Sequence, residues 1–194
     1  HEVPKGTENR STTPGSDTFK HYISSQWADR VDEIPAPREQ ASYAAVRRAE
    51  LSKKYPGKRL VIPAGAMKRR SNDTFYAFRA DSAFSWLTGW GSDSEPDSVL
   101  VMEPTASGHE ATLYFRERAG RDSDEFYANS DIGEFWIGPR PSLAQVAGDL
   151  GIATRHLDEL PAKDAEVTEL PEDVAQDLSE MRLVKDDYEI KEMR

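Results

Sequence analysis

The chain has no cysteine among its 194 residues, which removes disulfides, thiolate nucleophiles and thiolate-held metals together. Histidine is scarce. His1, His21, His109 and His156 are the whole set, none within helical or hairpin reach of another, so no histidine-pair metal signature forms. No apolar run approaches the roughly 18–20 residues that span a bilayer, and the first residues carry no apolar signal core. An excess of base is missing too: 35 acidic against 25 basic residues give a net charge of -10 and a pI near 4.9. That is the wrong sign for a phosphate backbone or an anionic lipid surface. Gly-x-Ser-x-Gly, phosphate-loop and dinucleotide glycine patterns are absent, leaving no nucleophile elbow or nucleotide cradle. These absences predict a soluble, cytoplasmic protein that binds neither nucleic acid nor membrane and holds no metal of its own.

What is present is enough for one ordinary core, with 37% hydrophobic residues. Residues 1–38 read as a polar arm, broken by Pro4, Gly6, Pro14, Gly15, Pro35 and Pro37. Within it Phe19, Tyr22, Ile23 and Trp27 have the spacing of one side of a short helix. Residues 39–170 read as the main domain. Glu39 to Tyr55 is an expected amphipathic helix with Tyr43, Val46 and Leu51 inward, closed by Tyr55-Pro56-Gly57. Arg59 to Pro63, Ser98 to Glu103 and Ala111 to Phe115 are strand-like, the last two joined by a turn-forming Pro104–Gly108 that implies an antiparallel hairpin. Glu134 to Ile137 has the composition of another short strand. Ser142 to Leu150 is an expected helix closed by Gly151, and Ile152 to His156 an expected return to the sheet. Residues 171–194 read as a helical linker, with Val174, Leu178 and Met181 on one face and a fresh cap at Asp186 and Glu189. The fold class is α/β, a mixed sheet flanked by helices.

The acidic clusters Asp122, Asp124 and Glu125, and Asp186 with Asp187, are read as solvated faces, since adjacency in sequence does not create a pocket. The richest segment runs from Arg69 to Trp90 (RRSNDTFYAFRADSAFSWLTGW). Arg70 and Asp73 have the spacing of a loop ion pair, and Arg79 and Asp81 of a second. Phe78, Phe84 and Leu87 suit an interior, while Tyr76, Trp86 and Trp90 offer large amphipathic surfaces that are costly to leave wet.

Arg70, Ser71, Asn72, Asp73, Tyr76, Phe78, Arg79, Ser82, Phe84 and the Leu87-Thr88-Gly89 turn together resemble the signature of the N-terminal domain of Xaa-Pro aminopeptidases. These belong to the creatinase/prolidase-like peptidase family. Met181 to Arg194 is similar to the segment by which these enzymes enter their two-metal catalytic domain. The resemblance implies a creatinase/prolidase N-terminal-domain-like fold with Arg70, Asn72, Asp73, Asp81 and Gly89 as structural signature. It implies that this chain has no catalytic residue and is inactive alone. Two manganese ions would belong to a C-terminal catalytic domain. Expected partners are that domain, other copies in a homo-oligomer, and proline-containing peptides. Arg79, Trp86 and Trp90 are the candidates for limiting substrate access, because aromatic faces suit a proline ring. The sequence departs from the family at Gly91–Glu95, which extends the turn before Pro96-Asp97, and between Leu157 and Pro171, which is short. The alternative is a binding module of a catalytically dead pseudo-peptidase, as in the large subunit of the FACT histone chaperone.

Overall fold

Apolar residues in three paired strands place one row of side chains, two residues apart along each strand, in a common core. The computed structural model describes residues 16–25, 30, 32–71, 74–121, 123–128 and 132–194. In chain order its elements begin with α1 (Asp17–Ser25), α2 (Glu39–Lys54), β1 (Leu60–Pro63), β2 (Arg69–Ser71), β3 (Thr74–Phe75), α3 (Ser82–Thr88), β4 (Val99–Thr105) and β5 (Gly108–Phe115). They continue with α4 (Asp124–Ala128), α5 (Glu134–Ile137), α6 (Leu143–Leu150), β6 (Ala153–His156), α7 (Ala162–Ala165), α8 (Glu172–Met181) and α9 (Asp187–Glu192). Two compact units result, residues 33–116 with 143–194, and residues 1–32 with 117–142.

The larger unit holds a four-stranded sheet of order β1-β4-β5-β6. Antiparallel pairing joins β1 to β4 and β4 to β5, while β6 returns parallel to β5, so the sheet is mixed as expected. Register sets Leu60 beside Met102, Ile62 beside Leu100 and Leu100 beside Leu113. Leu51, Phe84, Leu87, Trp90, Val146 and Leu150 pack with this row in one core. Val174 and Leu178 of α8 are in that core as well, each 1% exposed. At one edge Arg59 pairs with Glu103 and with Asp164 of α7.

Helix α2 runs where the sequence places it, yet it turns a different face inward. Ala41, Ala44, Arg47 and Leu51 are buried, whereas Val46 is 62% exposed. Small residues win because the helix lies close to its neighbours: a Cβ added at Gly89 would meet the Gln40 backbone at 3.3 Å.

The smaller unit contains α1, α4 and α5. Glu134 to Ile137 forms one helical turn, and the expected strand is corrected. The turn is closed by Ile137 N–H to the Gly133 carbonyl (3.1 Å) and Gly138 N–H to the Glu134 carbonyl (3.0 Å). Glu134 decides it. Its buried carboxylate pairs with Arg30 and accepts from the Arg140 backbone N–H at 2.7 Å, a geometry that ties its side chain inward at the start of the turn. Arg140 is itself buried and pairs with Glu125 at 2.5 Å. On α1, Phe19 is half-buried and Tyr22 exposed, whereas Trp27 and the side chain of Ile23 lie outside the described residues. Among the described residues no helix is long and apolar enough to cross a membrane.

Candidate functional site

The segment from Arg69 to Trp90 divides into an exposed ribbon, a loop and a buried helix. β2 and β3 pair antiparallel, and two cation–π contacts stiffen them: Arg69 over Phe75 at 5.5 Å and Arg70 over Tyr76 at 5.9 Å. Asn72 and Asp73, and with them the expected Arg70–Asp73 pair, lie outside the described residues. Helix α3 starts at Asp81, whose carboxylate accepts from the N–H groups of Ala83 (2.8 Å) and Phe84 (3.4 Å). This satisfies donors that a helix start leaves open. The expected Arg79–Asp81 pair is therefore corrected: Asp81 caps the helix, and Arg79 is exposed with no ion pair among the described residues. Gly89, at φ 75, ends the helix in the left-handed region, with its N–H on the Ser85 carbonyl.

Of the three access candidates, Trp90 is 2% exposed and meets Phe115 edge-on at 5.2 Å, so it fills the core. Trp86 is half-buried. Its indole N–H is buried and has no acceptor among the described residues. Arg79 and Trp86 thus remain as the candidates with a free face.

Arg47 organises the surroundings of Trp86. Its guanidinium lies 5.0 Å from the Trp86 ring and donates to the Trp86 carbonyl at 3.0 Å. The same group pairs with Asp186 at 2.5 Å and Glu189 at 3.5 Å. Asp186 and Glu189 are in turn the reciprocal capping box of α9: Glu189 N–H to Asp186 at 3.0 Å, and Asp186 N–H to Glu189 at 3.2 Å. Tyr188 adds a ring contact to Tyr43 at 5.6 Å and accepts from Gln40 at 2.5 Å. One arginine therefore joins α2, α3 and α9. The sequence alone does not single it out, because Arg47 and Arg48 both fall near the spacing of Ala41, Ala44 and Leu51.

The extension at Gly91–Glu95 is anchored. Arg38 pairs with Asp93 at 2.7 Å and with Asp149. The hydrogen bond from Arg38 holds the Asp93 carboxyl below its ordinary value, and the two carboxylates raise the Arg38 guanidinium. Among the described residues no group of three or more His, Cys, Asp or Glu is placed to hold a metal ion. His109 is held by Ser52 Oγ at 2.7 Å and the Lys58 carbonyl at 2.6 Å. The carbonyl can only accept, so Nε2–H donates to it, and in the neutral ring Nδ1 accepts from the Ser52 hydroxyl.

A family model for the aminopeptidase P N-terminal domain matches residues 44–174. Xaa-Pro aminopeptidase 1 of Streptomyces coelicolor is 39% identical over 223 residues, covering 100% of this chain and 45% of the relative. Xaa-Pro aminopeptidase 2 of the same organism is 40% identical over 191 residues, covering 87% of this chain and 40% of the relative. The chain thus spans less than half the length of these relatives. A structure of aminopeptidase P from E. coli, described with the inhibitor Pro-Leu, is similar in fold at a TM-score of 0.50 and 24% identity, over 64% of this chain and 26% of that one. With a match across most of its length, the chain belongs to the aminopeptidase P N-terminal domain family.

Proposed function

We propose that this chain serves a metal-dependent Xaa-Pro aminopeptidase as the domain that limits which peptides reach the catalytic centre and that brings subunits together. One observation carries the reading: full-length similarity to relatives named Xaa-Pro aminopeptidase, of which the chain spans 45% or less. The remaining length is room for a catalytic domain. On this reading manganese is held by the catalytic domain, and this chain's own contribution is shape and charge. Arg79 presents an exposed cation with no ion pair among the described residues, and Trp86 an aromatic face fixed by Arg47. These suit a short peptide whose second residue is proline, since the ring offers flat apolar surface and no N–H at the bond to be cut. Trp90 contributes only through the core beneath them.

The test is release of the N-terminal residue from a short Xaa-Pro peptide with added manganese, comparing this chain with the longer protein. Activity confined to the longer protein is expected. In it, Arg79→Ala and Trp86→Ala should raise KM for a tripeptide more than they lower kcat, as loss of substrate positioning does. Activity in neither protein would overturn the reading in favour of a pseudo-peptidase binding module, and activity in this chain alone would place a catalytic site within it.

A further inference from the structure

Away from the signature segment, a cavity of about 760 Å³ opens between α2 and the β4–β5 hairpin. Its size comes from small side chains on facing walls: Ala45 and Ala49 on the helix, Ala111 and Ala153 on the sheet, with Met102 beside them. That volume lies within the range of about 300–1,000 Å³ typical of small-molecule sites. Arg48 is among its lining residues and is half-buried.

Arg48 differs from three other arginines of this unit. Arg38 has Asp93 and Asp149, Arg47 has Asp186 and Glu189, and Arg59 has Glu103 and Asp164. Arg48 has no carboxylate among the described residues. Among the described residues its hydrogen bond runs from Nη1 to the Leu87 carbonyl at 2.7 Å, and its remaining N–H donors have no protein acceptor. Burial pulls its guanidinium down to about 10, because desolvation disfavours the charged form. Neighbouring groups do not offset that charge. The Ser52 hydroxyl is hydrogen-bonded to His109, Lys53 is paired with Glu50 at 2.6 Å, and Glu110 is an exposed acid at the rim.

We propose that this cavity binds a small organic anion, with its acidic group on Arg48 and a short apolar body against Ala45, Ala49 and Met102. A carboxylate or a phosphate would satisfy the guanidinium equally in kind, because both accept its paired donors. The apolar walls favour a ligand with hydrocarbon next to the charge.

Amide chemical-shift titrations of the isotope-labelled chain test this with three probes: butyrate, inorganic phosphate and butanol. Saturable butyrate shifts are expected at residues 45–53 and 106–111, with butanol producing none. Arg48→Met should weaken butyrate by about tenfold or more, the scale of one charge-assisted pair. Ala49→Leu keeps the charge but fills the space, and should abolish binding while the chain stays folded by its thermal midpoint. Phosphate binding tighter than butyrate would support the site and assign its ligand to the phosphate class. Three results would overturn the proposal: no saturation by butyrate or phosphate, an unchanged titration in either variant, or shifts confined to exposed lysines. The readout is independent of peptidase activity, so it stands or falls apart from the proposed function.

Discussion

Gly89 is the residue whose replacement tests the packing of α3 on α2 most directly. It sits at φ 75, and an added Cβ would lie 3.2 Å from the Gln40 side chain and 3.3 Å from its backbone. Gly89→Ala combines left-handed strain with that overlap and should cost about 1–3 kcal/mol in denaturant unfolding. Asp93 offers a test by pH. Because Arg38 holds its carboxyl below 3.8, the unfolded chain takes up the proton first as acid is added. The contribution is therefore full above that value and lost as pH falls through the lower folded one. Asp97 has the opposite sign, because burial raises its carboxyl and the folded chain protonates first. In thermal scans between about pH 5 and 3, Asp93→Asn should lose less stability than the parent chain, and Asp97→Asn should lose more. Equal slopes in all three would remove both assignments.

At the scale of elements, the sheet was legible because its signals are local. Branched and aromatic residues are concentrated in β1, β4 and β5, and Pro104 to Gly108 carries turn chemistry between two of them. The capping box at Asp186 and Glu189 was legible for the same reason. What failed depended on distant partners. Phe135, Trp136 and Ile137 have strand composition, and only the pairing of Glu134 with Arg30, more than a hundred residues away, reveals the helical turn. The face of α2 was misread because Val46 outranks alanine in hydrophobicity, whereas close helix packing selects for small size. Two substitutions separate these effects. Val46→Lys should change stability by less than about 0.5 kcal/mol, as exposed substitutions do. Asp81→Ala, which strips the cap from α3, should cost about 1 kcal/mol. Chemical denaturation measures both, and a large loss for Val46→Lys would contradict the exposed position.

For the whole molecule, the question is where the folded unit ends. The composition of residues 171–194 reads as a linker, yet Val174 and Leu178 are each 1% exposed in the main core. Burying two such side chains is worth about 3–6 kcal/mol together by area, a large share of the stability of an ordinary domain. Beyond Met181 the character changes: Leu183 is 78% and Val184 79% exposed, and α9 is tied back chiefly through Arg47 and Gln40. Truncation should therefore act in two steps. A chain ending at residue 182 keeps the core whole and loses only the bonds to α9, leaving Arg47 without its carboxylates; it should unfold cooperatively at a lower midpoint. A chain ending at residue 171 also removes Val174 and Leu178 from the core they share with Phe84, and should lose cooperative unfolding altogether. Calorimetry of the two truncations against the parent chain decides the matter. Equal midpoints for both would mean that α8 packs without stabilising, and would return residues 171–194 to the role of linker.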